Sequence, residues 1–354
     1  MSAGDYYQQT ATEMGYAAPS KYAPKDYTVG IICALSKEKA AAECFLDVEH
    51  PQTKAQPRGD NNAYTLGAIG PHNVVIASLP EGRYGTTNAA AVARDMIRTF
   101  PKIRFGLMVG IGGGAPTAKH DIRLGDIVVA VPDSSRNEVL KYDFGKTVQE
   151  KAFQRAESMN NCPPLLKSVV SALKTKYKRK GHPLQEYIEN ALKTNQRLRN
   201  EYQKPDPSTD VLYRPDYVHP EAADVCSQMC ASKPEHMMPR PIPFSLEKEL
   251  LEEMHDPTIH YGPVASGNQL MKDARLRDSL AHERGVLCFE MEASGLMEHF
   301  PSLVIRGICD YSDTHKNDHW QGYAAMVKDE KPAQRAITDT VAHWPNSEYY
   351  DVRV

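Results

Sequence analysis

Residues 289–313 read F-E-M-E-A-S-G-L-M-E-H-F-P-S-L-V-I-R-G-I-C-D-Y-S-D, and this stretch decides how the rest of the sequence is interpreted. Two carboxylates, Glu290 and Glu292, flank Met291 just before small residues that begin a helix. An apolar run follows that has the length and β-branched content of a buried strand, and it leads to Asp310. Open α/β sheets place their ligand sites at the carboxyl ends of the strands. The pattern therefore predicts a helix, a buried strand and an acid at the tip of that strand.

This block resembles the signature of the nucleoside phosphorylase and nucleosidase superfamily, in which E-M-E is followed further along the chain by S-D. The corresponding residues here are Glu290-Met291-Glu292 and Cys309-Asp310. The resemblance implies that Glu292 holds the ribose hydroxyls and that Met291 packs on the sugar, with Glu290 also at the substrate. It further implies that Asp310 protonates the purine.

Composition excludes several other function classes. The chain of 354 residues is 41% hydrophobic and 25% charged, with a net charge of -3, so nothing in its electrostatics favours nucleic acid. No apolar run approaches the length that spans a membrane. The polar amino-terminal segment lacks a signal pattern, which predicts a cytoplasmic protein. Seven cysteines, an odd number in a long chain, favour free thiols.

The first predicted strand, at residues 27–35, leads to an Ala-rich helix for which Ser36 is a candidate N-cap. Glu38 lies in the first turn of that helix, where an acid also interacts favourably with the helix dipole while exposed to solvent. In the nucleosidases that the chain resembles, a Glu at this place positions the attacking water. Phosphorylases usually have a phosphate-binding Arg there. The resemblance therefore favours hydrolysis over phosphorolysis.

A hairpin is predicted from two short strand patterns at residues 64–70 and 73–79. A loop with two glycines follows and leads to an Ala-rich helix, with Thr87 or Asn88 as its N-cap. Glycines before a helix N-terminus suit anions, so Arg83 in this loop is a candidate to meet a phosphate or a ribose. A solvated loop arginine is an equally good interpretation.

The strand predicted at residues 103–109 leads to the segment G-I-G-G-G-A, which matches a dinucleotide-binding fingerprint. We reject that interpretation because a loop and a further strand at 124–130, and no helix, follow the glycines. Gly112 and Gly113 let the backbone approach a substrate closely. Phosphorylases commonly have a phosphate-binding Ser in this loop, whereas Ile111 stands there in this chain.

Residues 150–258 interrupt the resemblance with two basic amphipathic helices, near 165–177 and 184–198, and a proline-rich part. We interpret them as an elaboration of the main domain that forms a lid, with a separate domain as the alternative. Four side chains of this insertion are candidates for a zinc site, although their spacing is looser than usual and unligated residues are the favoured interpretation. They are His219, Cys226, Cys230 and His236.

Two further segments are candidates for ligand contact through the resemblance. Asn268, Leu270 and Met271 stand where the family forms its base pocket, and no aromatic residue occupies the usual stacking position. Residues 141–146 correspond to a region near the dimer interface and the 5' end of the ligand. The His- and Asp-rich loop after Asp310 is interpreted as a solvated loop, with metal or ligand contact as the alternative.

The expected fold is α/β: a three-layer α/β/α sandwich with a mixed central sheet of the nucleoside phosphorylase type, carrying a partly helical insertion. The resemblance covers about residues 26–337 and is strongest to phosphorylase-like domains of fungal proteins, including those fused to immune-type receptors. The predicted domain spans residues 26–345, and residues 1–25 are expected to be a disordered lead.

The resemblance implies a purine nucleosidase that cleaves the N-glycosidic bond of adenosine, with AMP and ATP as further candidates. The alternatives are a phosphate-dependent purine nucleoside phosphorylase and a purine-binding regulatory module without catalysis. No cofactor or metal is needed, and a homodimer is expected. Asp310 would donate a proton to the base, which requires its pKa to be raised by burial and nearby carboxylates. Glu292 would hold the sugar hydroxyls and Glu38 would orient the water.

Overall fold

The structure is a computed structural model, and it describes residues 21–53, 56–132, 137–150, 153–155, 162–220, 230, 233–240, 256–297, 300–316 and 318–328. Most of the disordered lead predicted at residues 1–25 lies outside these ranges. Within the described residues, no helix combines the length and the apolar content that crossing a membrane requires.

One mixed sheet of eleven strands organises the described part of the chain. Its main path runs β10-β6-β13-β5-β1-β4-β3-β2, and β12, β11 and β7 extend it beyond the carboxyl end of β5. The strands are β1 (Val29–Cys33), β2 (Val48–His50), β3 (Tyr64–Ile69), β4 (His72–Ser78), β5 (Phe105–Gly114), β6 (Ile127–Ala130), β7 (Val139–Lys141), β8 (Gly145–Lys146), β9 (Gln154–Arg155), β10 (Ile259–Gly262), β11 (Val264–Ser266), β12 (Cys288–Glu290) and β13 (Ser302–Asp310); β8 and β9 form a separate pair.

Helices cover both faces of this sheet, as the sandwich prediction requires. Gly30 of β1 faces the Met96 side chain on one side, and Gly307 of β13 faces the Ala324 backbone on the other. The prediction of an α/β fold with a mixed central sheet is therefore confirmed. The helices are α1 (Ser36–Glu43), α2 (Thr86–Thr99), α3 (Pro164–Lys180), α4 (Leu184–Thr194), α5 (Arg199–Tyr202), α6 (Ala274–Arg284), α7 (Ala293–Leu296) and α8 (Gln321–Val327).

The predicted hairpin is present as β3 and β4, which pair in antiparallel register. The predicted end of the next strand was wrong. β5 does not stop before the glycines but continues to Gly114, because β13 pairs with it in parallel along its length and β12 pairs antiparallel with Gly113 and Gly114. Glycine weakens a strand through backbone entropy, and two flanking strands offset that cost.

The two predicted amphipathic helices of the insertion are also present, as α3 and α4. Their buried side chains, among them Leu166, Val170 and Ile188, belong to the same hydrophobic cluster as the strands of the main sheet. The division of the chain into a domain and an insertion nevertheless stays a prediction.

Candidate active site

The predicted acids meet where three strands end. β13 brings Asp310 opposite Gly113, and β12 brings Phe289, the residue before Glu290, to the same glycine. A Cβ atom on Gly113 would lie 2.5 Å from Asp310 Oδ1 and 2.1 Å from Ser312 Oγ. Only glycine fits at this position, so the glycine-rich end of β5 is what allows the acidic groups to converge.

Glu38 is positioned by the first turn of α1, which follows β1. Its side chain is buried, with only 1% of the residue exposed. Oε2 accepts hydrogen bonds from the backbone N–H groups of Ala34 (2.7 Å) and Leu35 (2.9 Å), and Oε1 accepts one from Ile111 N–H (2.7 Å). Three backbone donors stabilise the carboxylate and fix its position. Leu35 is the N-cap of α1 and Ser36 is its first residue, so the prediction of Ser36 as N-cap was wrong.

Glu290 and Arg306 form a fully buried ion pair in the centre of the site. Arg306 Nη2 donates to Glu290 Oε2, and the same carboxylate accepts from the backbone N–H groups of Glu292 and Ala293. Among the described residues, none accepts a hydrogen bond from Arg306 Nε or Nη1. A Cβ atom at Gly110 would lie 1.7 Å from Nη1 and 3.1 Å from Glu38 Oε1. The guanidinium therefore lies between Glu290 and Glu38.

Glu292 has the most unusual acid–base environment among the carboxylates of this site. Oε1 accepts a hydrogen bond from Gly85 N–H at the start of α2 (3.3 Å), and Oε2 lies 3.9 Å from Arg306 Nη2. Burial, followed by the charge of Glu290, raises the pKa of Glu292 to about 7, although Arg306 acts in the opposite direction. This carboxyl therefore changes its charge near neutral pH.

Asp310 is buried at the tip of β13 and both of its oxygens have partners. Oδ1 accepts from Ser312 N–H (2.8 Å), and Oδ2 accepts from the Cys309 thiol (3.2 Å) and from Lys316 Nζ (2.6 Å). Burial lowers the pKa of Lys316, but the charge and the hydrogen bond of Asp310 outweigh it, so that the pKa is raised. The predicted proton donor thus lies in an ion pair that the sequence did not suggest.

A cavity of about 410 Å³ opens at the start of α2, and none of Glu38, Glu292 and Asp310 is part of its wall. Its wall includes the start of α2 at Thr86, the residues that follow Glu292 (Ser294 and Gly295), and the side chains of Lys141 and Asn268. A pocket of this size is within the range that small-molecule ligands occupy.

Comparison with known proteins places this geometry in context. No family model matches the sequence. A nucleotide-binding leucine-rich repeat (NLR)-like protein of the fungus Hyaloscypha variabilis is 42% identical over 305 residues, which cover 86% of this chain. The chain spans only 28% of the length of that relative. A 5'-methylthioadenosine/S-adenosylhomocysteine nucleosidase of Mycobacterium bovis is 24% identical over 292 residues, which cover 80% of this chain and 85% of the nucleosidase.

Two solved structures from Helicobacter pylori share the architecture. Futalosine hydrolase aligns with a TM-score of 0.50 at 15% identity, over 89% of this chain and 98% of its own. A 5'-methylthioadenosine/S-adenosylhomocysteine nucleosidase in complex with an inhibitor aligns with a TM-score of 0.50 at 14% identity, with the same two coverages. The chain therefore has the fold of these two solved structures.

Within this nucleosidase-type fold, the remaining predicted ligand residues lie in different surroundings. Asn268 lines the cavity, while its side-chain oxygen accepts from Thr86 N–H (3.1 Å). Met271 is buried in a second hydrophobic cluster, Leu270 is 49% exposed, and Arg83 is exposed in its loop. Met291 is half-buried. Contact of these side chains with a purine stays a prediction.

Two residues of the site were missed by the sequence analysis. Arg306 is the one charged residue of β13 before Asp310, and a charge on a buried strand must have a partner, so this signal was available. Lys316 belongs to the loop after Asp310, for which a solvated loop was predicted. That prediction was wrong, since Tyr311, Ser312 and His315 in this loop are at most 5% exposed.

Two of the residues that the sequence offered as zinc ligands make other contacts in the structure. His236 stacks on Tyr217, with ring centroids 3.9 Å apart, and Tyr217 Oη lies 3.6 Å from Cys230 Sγ. Cys226 lies outside the described residues. In the part of the chain that the structure describes, no three His, Cys, Asp or Glu side chains are grouped as metal ligands would be.

Proposed function

We propose that this protein is a purine nucleosidase, which hydrolyses the N-glycosidic bond of an adenine nucleoside or nucleotide to free base and ribose or ribose phosphate. The observation that carries the proposal is that Glu38 and Glu292 meet at the buried Arg306 of β13, while the buried Asp310 ends the same strand. Each carboxylate has a different environment, which is how one site separates the tasks of acid, base and charge stabiliser.

Cleavage of this bond passes through an oxocarbenium-like sugar with a departing base. Asp310 protonates the purine at N7, so that the electron pair of the C1'–N9 bond leaves with a neutral base. Glu292 binds the 2' and 3' hydroxyls and, when ionised, stabilises the positive charge that develops on the sugar. Because the pKa of Glu292 is raised to about 7, this stabilisation increases as the pH rises through neutrality.

Water then attacks C1', and Glu38 accepts its proton. Both oxygens of Glu38 are held by backbone donors, so the carboxylate is fixed while the water is oriented. The Nε and Nη1 groups of Arg306 have no acceptor among the described residues. They are the donors that can hold the oxygen of this water or of a sugar hydroxyl within reach of Glu38.

Phosphorolysis is disfavoured by the charges in the centre of the site. Glu38, Glu290 and Glu292 surround a single cation, Arg306, which is already bound to Glu290. An incoming phosphate dianion beside a carboxylate costs on the order of 4 kcal/mol for each unit-charge pair at about 4 Å and an effective dielectric constant near 20. The N–H group of Ile111, in the segment where phosphorylases commonly have a Ser, is itself bound to Glu38.

The choice of adenine rests on the relatives whose names specify adenine nucleosides, and the 5' group is open between hydroxyl and phosphates. Lys141 lines the mouth of the cavity, while Arg123 lines a different cavity and pairs with Asp121 (2.8 Å). These two cations therefore do not line one path to the 5' phosphates of a nucleotide. Faster cleavage of inosine or guanosine than of adenosine or ATP would refute the adenine assignment.

The test is incubation with adenosine, inosine, AMP and ATP, each with and without phosphate. We expect release of free adenine and of ribose or ribose phosphate at a rate that does not depend on added phosphate. Glu38→Gln and Asp310→Asn should each lower turnover by roughly 100- to 10,000-fold, as loss of a general base or acid does. Glu43→Gln, on the outer end of the same helix as Glu38, is the matched control and should keep full turnover.

Accumulation of ribose 1-phosphate, at a rate that rises with phosphate concentration, would replace the hydrolase with a phosphorylase. The size of the NLR-like relative favours a second candidate, since this chain corresponds to 28% of that protein. In that case the module binds a purine and regulates the rest of a larger chain. Saturable purine binding by calorimetry without release of base from any of the four substrates would support this candidate.

A further inference from the structure

The loop after β13 turns back on the proposed acid. It runs from Tyr311 to Lys316 and returns the Lys316 ammonium to within 2.6 Å of Asp310 Oδ2. The Asp310 side chain is 3% exposed and that of Lys316 is 22% exposed. The carboxylate is therefore buried, while its cation lies at the boundary with solvent.

This contact opposes proton donation by Asp310. A carboxyl that gives a proton to a purine must first hold that proton on one oxygen. Here Oδ1 accepts from Ser312 N–H (2.8 Å), and Oδ2 accepts from both Lys316 and the Cys309 thiol. Each of these donors stabilises the charged form. To hold a proton on one oxygen, Asp310 has to give up part of this hydrogen bonding.

The insertion holds the residues on either side of this contact. His219 N–H donates to Thr314 Oγ1 (2.8 Å), two residues before Lys316. The His315 ring stacks on Tyr213, with centroids 4.0 Å apart, and lies 5.1 Å from Tyr217. Burial, with a smaller effect of His219, lowers the pKa of His315 to about 4, so the ring is neutral at pH 7. The insertion thus positions the loop without adding charge next to Asp310.

We propose that Lys316 is a positioning residue that sets the charge of Asp310, and that the rings of the insertion hold Lys316 in this place. The inference rests on the proposed function, in which Asp310 protonates the purine. It gives the insertion a role in the chemistry of the site, beyond control of substrate access.

Several other ionisable groups face this pair, and they do not replace Lys316. Arg277 on α6 is a cation that contacts this loop: it lies 3.8 Å from Asp313 and donates to the backbone oxygen of Tyr311. The other ionisable groups around the pair are carboxyls and thiols. They are Asp313 and Asp318 from the loop, Cys309 from β13 and Cys288 from β12. Glu38 of α1 acts on Cys309.

The test is the pH dependence of kcat/KM for adenosine in Lys316→Met. Removal of an adjacent opposite charge moves the titration of a carboxyl by about 1 to 3 pH units. We expect kcat/KM on the alkaline side of the profile to rise, by up to the factor of about 10 to 1000 that this shift corresponds to, because Asp310 keeps its proton longer. Asp310 is then also a weaker acid, so the rate on the acidic side should fall several-fold. The profiles of the two proteins should cross.

Two further variants separate charge from shape. Lys316→Gln keeps a hydrogen-bond donor but removes the charge, and it should reproduce the crossing even if Lys316→Met folds poorly. Lys316→Arg keeps the charge and should retain the wild-type pH profile. Lys167→Met is the matched control, because this lysine pairs with buried Glu138 (3.6 Å) outside the site, and it should leave the profile in place.

A substrate that needs no leaving-group proton isolates the effect further. p-Nitrophenyl β-D-ribofuranoside releases a stable phenolate, so its cleavage should change less than 3-fold in Lys316→Met at every pH. Tyr213→Leu removes one ring that stacks on His315. It should change the alkaline side of the kcat/KM profile for adenosine in the same direction as Lys316→Met, by a smaller amount. If the pH profile for adenosine is unchanged in Tyr213→Leu, the proposed role of the insertion is overturned.

The outcomes separate this inference from the function on which it rests. If the wild type releases no base from any purine substrate, the proposed function fails. If the wild type is active and Asp310→Asn is not, the function stands. In that case, an unchanged profile in both Lys316→Met and Lys316→Gln, or a uniform loss of rate at all pH values, overturns the assignment of Lys316.

Discussion

Glu292 shows how a single residue of this site can oppose stability. Its carboxyl is 5% exposed, and burial together with Glu290 raises its pKa from 4.5 to about 7. The unfolded chain loses this proton near pH 4.5, whereas the folded chain retains it to about pH 7. Folding is therefore penalised as the pH rises between these values, by roughly 3 kcal/mol at 1.36 kcal/mol per pH unit.

We predict that Glu292→Gln stabilises the protein at pH 8 by up to about this amount while turnover falls. At pH 4 the difference should vanish, because the carboxyl is then neutral in both folded and unfolded wild type. Urea denaturation at pH 8 and pH 4 measures this difference in unfolding free energy. The control variant Glu43→Gln on α1 should differ from wild type by nearly the same amount at both pH values. A Glu292→Gln protein that is less stable than wild type at pH 8 would mean that the pairing with Arg306 outweighs burial.

The residues of the site differ in how far the sequence revealed them. Glu290, Glu292 and Asp310 were named because their spacing matches a known block, and the fold brings them to the same strand ends. Arg306 and Lys316 could not be assigned in that way, because their importance lies in which carboxylate each one meets. That pairing depends on the register of β13 with β5 and on the path of a loop, neither of which a local pattern encodes.

At the scale of the element, α2 begins with help from distant residues. Its N-cap is Gly85, with no side-chain cap, and the predicted caps Thr87 and Asn88 lie inside the helix. The Asn268 side-chain oxygen accepts from Thr86 N–H and Thr86 Oγ1, each at 3.1 Å, and Glu292 accepts from Gly85 N–H. The helix start is therefore tied to two segments that line the candidate site.

We predict that Asn268→Ala costs about 1 kcal/mol of unfolding free energy, as the loss of an N-cap does. Because Asn268 also lines the cavity, KM for a nucleoside should rise in the same variant. Thr87→Ala, at one of the two positions that the sequence predicted as cap, should stay within about 0.5 kcal/mol of wild type. Equal losses for the two variants in urea denaturation would contradict the assignment of the cap to Asn268.

Some elements were predicted correctly and others were not, because only some of them have a local signal in the sequence. The hairpin of β3 and β4 was found because alternation and turn residues are local signals. The glycine-rich end of β5 was predicted as a loop, since nothing nearby in sequence shows that β12 and β13 will pair with it. The same lack of a local signal hid the N-cap of α2.

At the scale of the molecule, the insertion joins the main sheet in two ways. The helices α3 and α4 extend its hydrophobic core. The irregular part binds the loop around Asp310: the Tyr311 hydroxyl donates to Asp210, and Trp320 Nε1 donates to Thr209 Oγ1 (3.0 Å). Removing this part would expose Trp320 and leave buried polar groups without partners, so point variants are the better probes of its role.

The face around the mouth of the cavity is the place where we expect a second copy of the chain. Phe144 lines the mouth and is 61% exposed, and Leu270, just beyond Asn268, is 49% exposed. Tyr84, at the start of the turn into α2, is 45% exposed. Large exposed apolar side chains are typical of an interaction surface, and the homodimer expected from the sequence resemblance makes a second copy the partner that we propose.

We predict a homodimer at micromolar concentration by sedimentation velocity, and we expect Phe144→Asp to shift it to monomer because a buried, unpaired carboxylate opposes association. Val48→Asp is the matched control, since Val48 is 51% exposed on the edge strand β2, and it should leave the dimer intact. If the dimer forms across this mouth, Phe144→Asp should also raise KM for nucleosides. A fully active wild-type monomer, or dissociation caused by Val48→Asp and not by Phe144→Asp, would place the interface elsewhere or remove it.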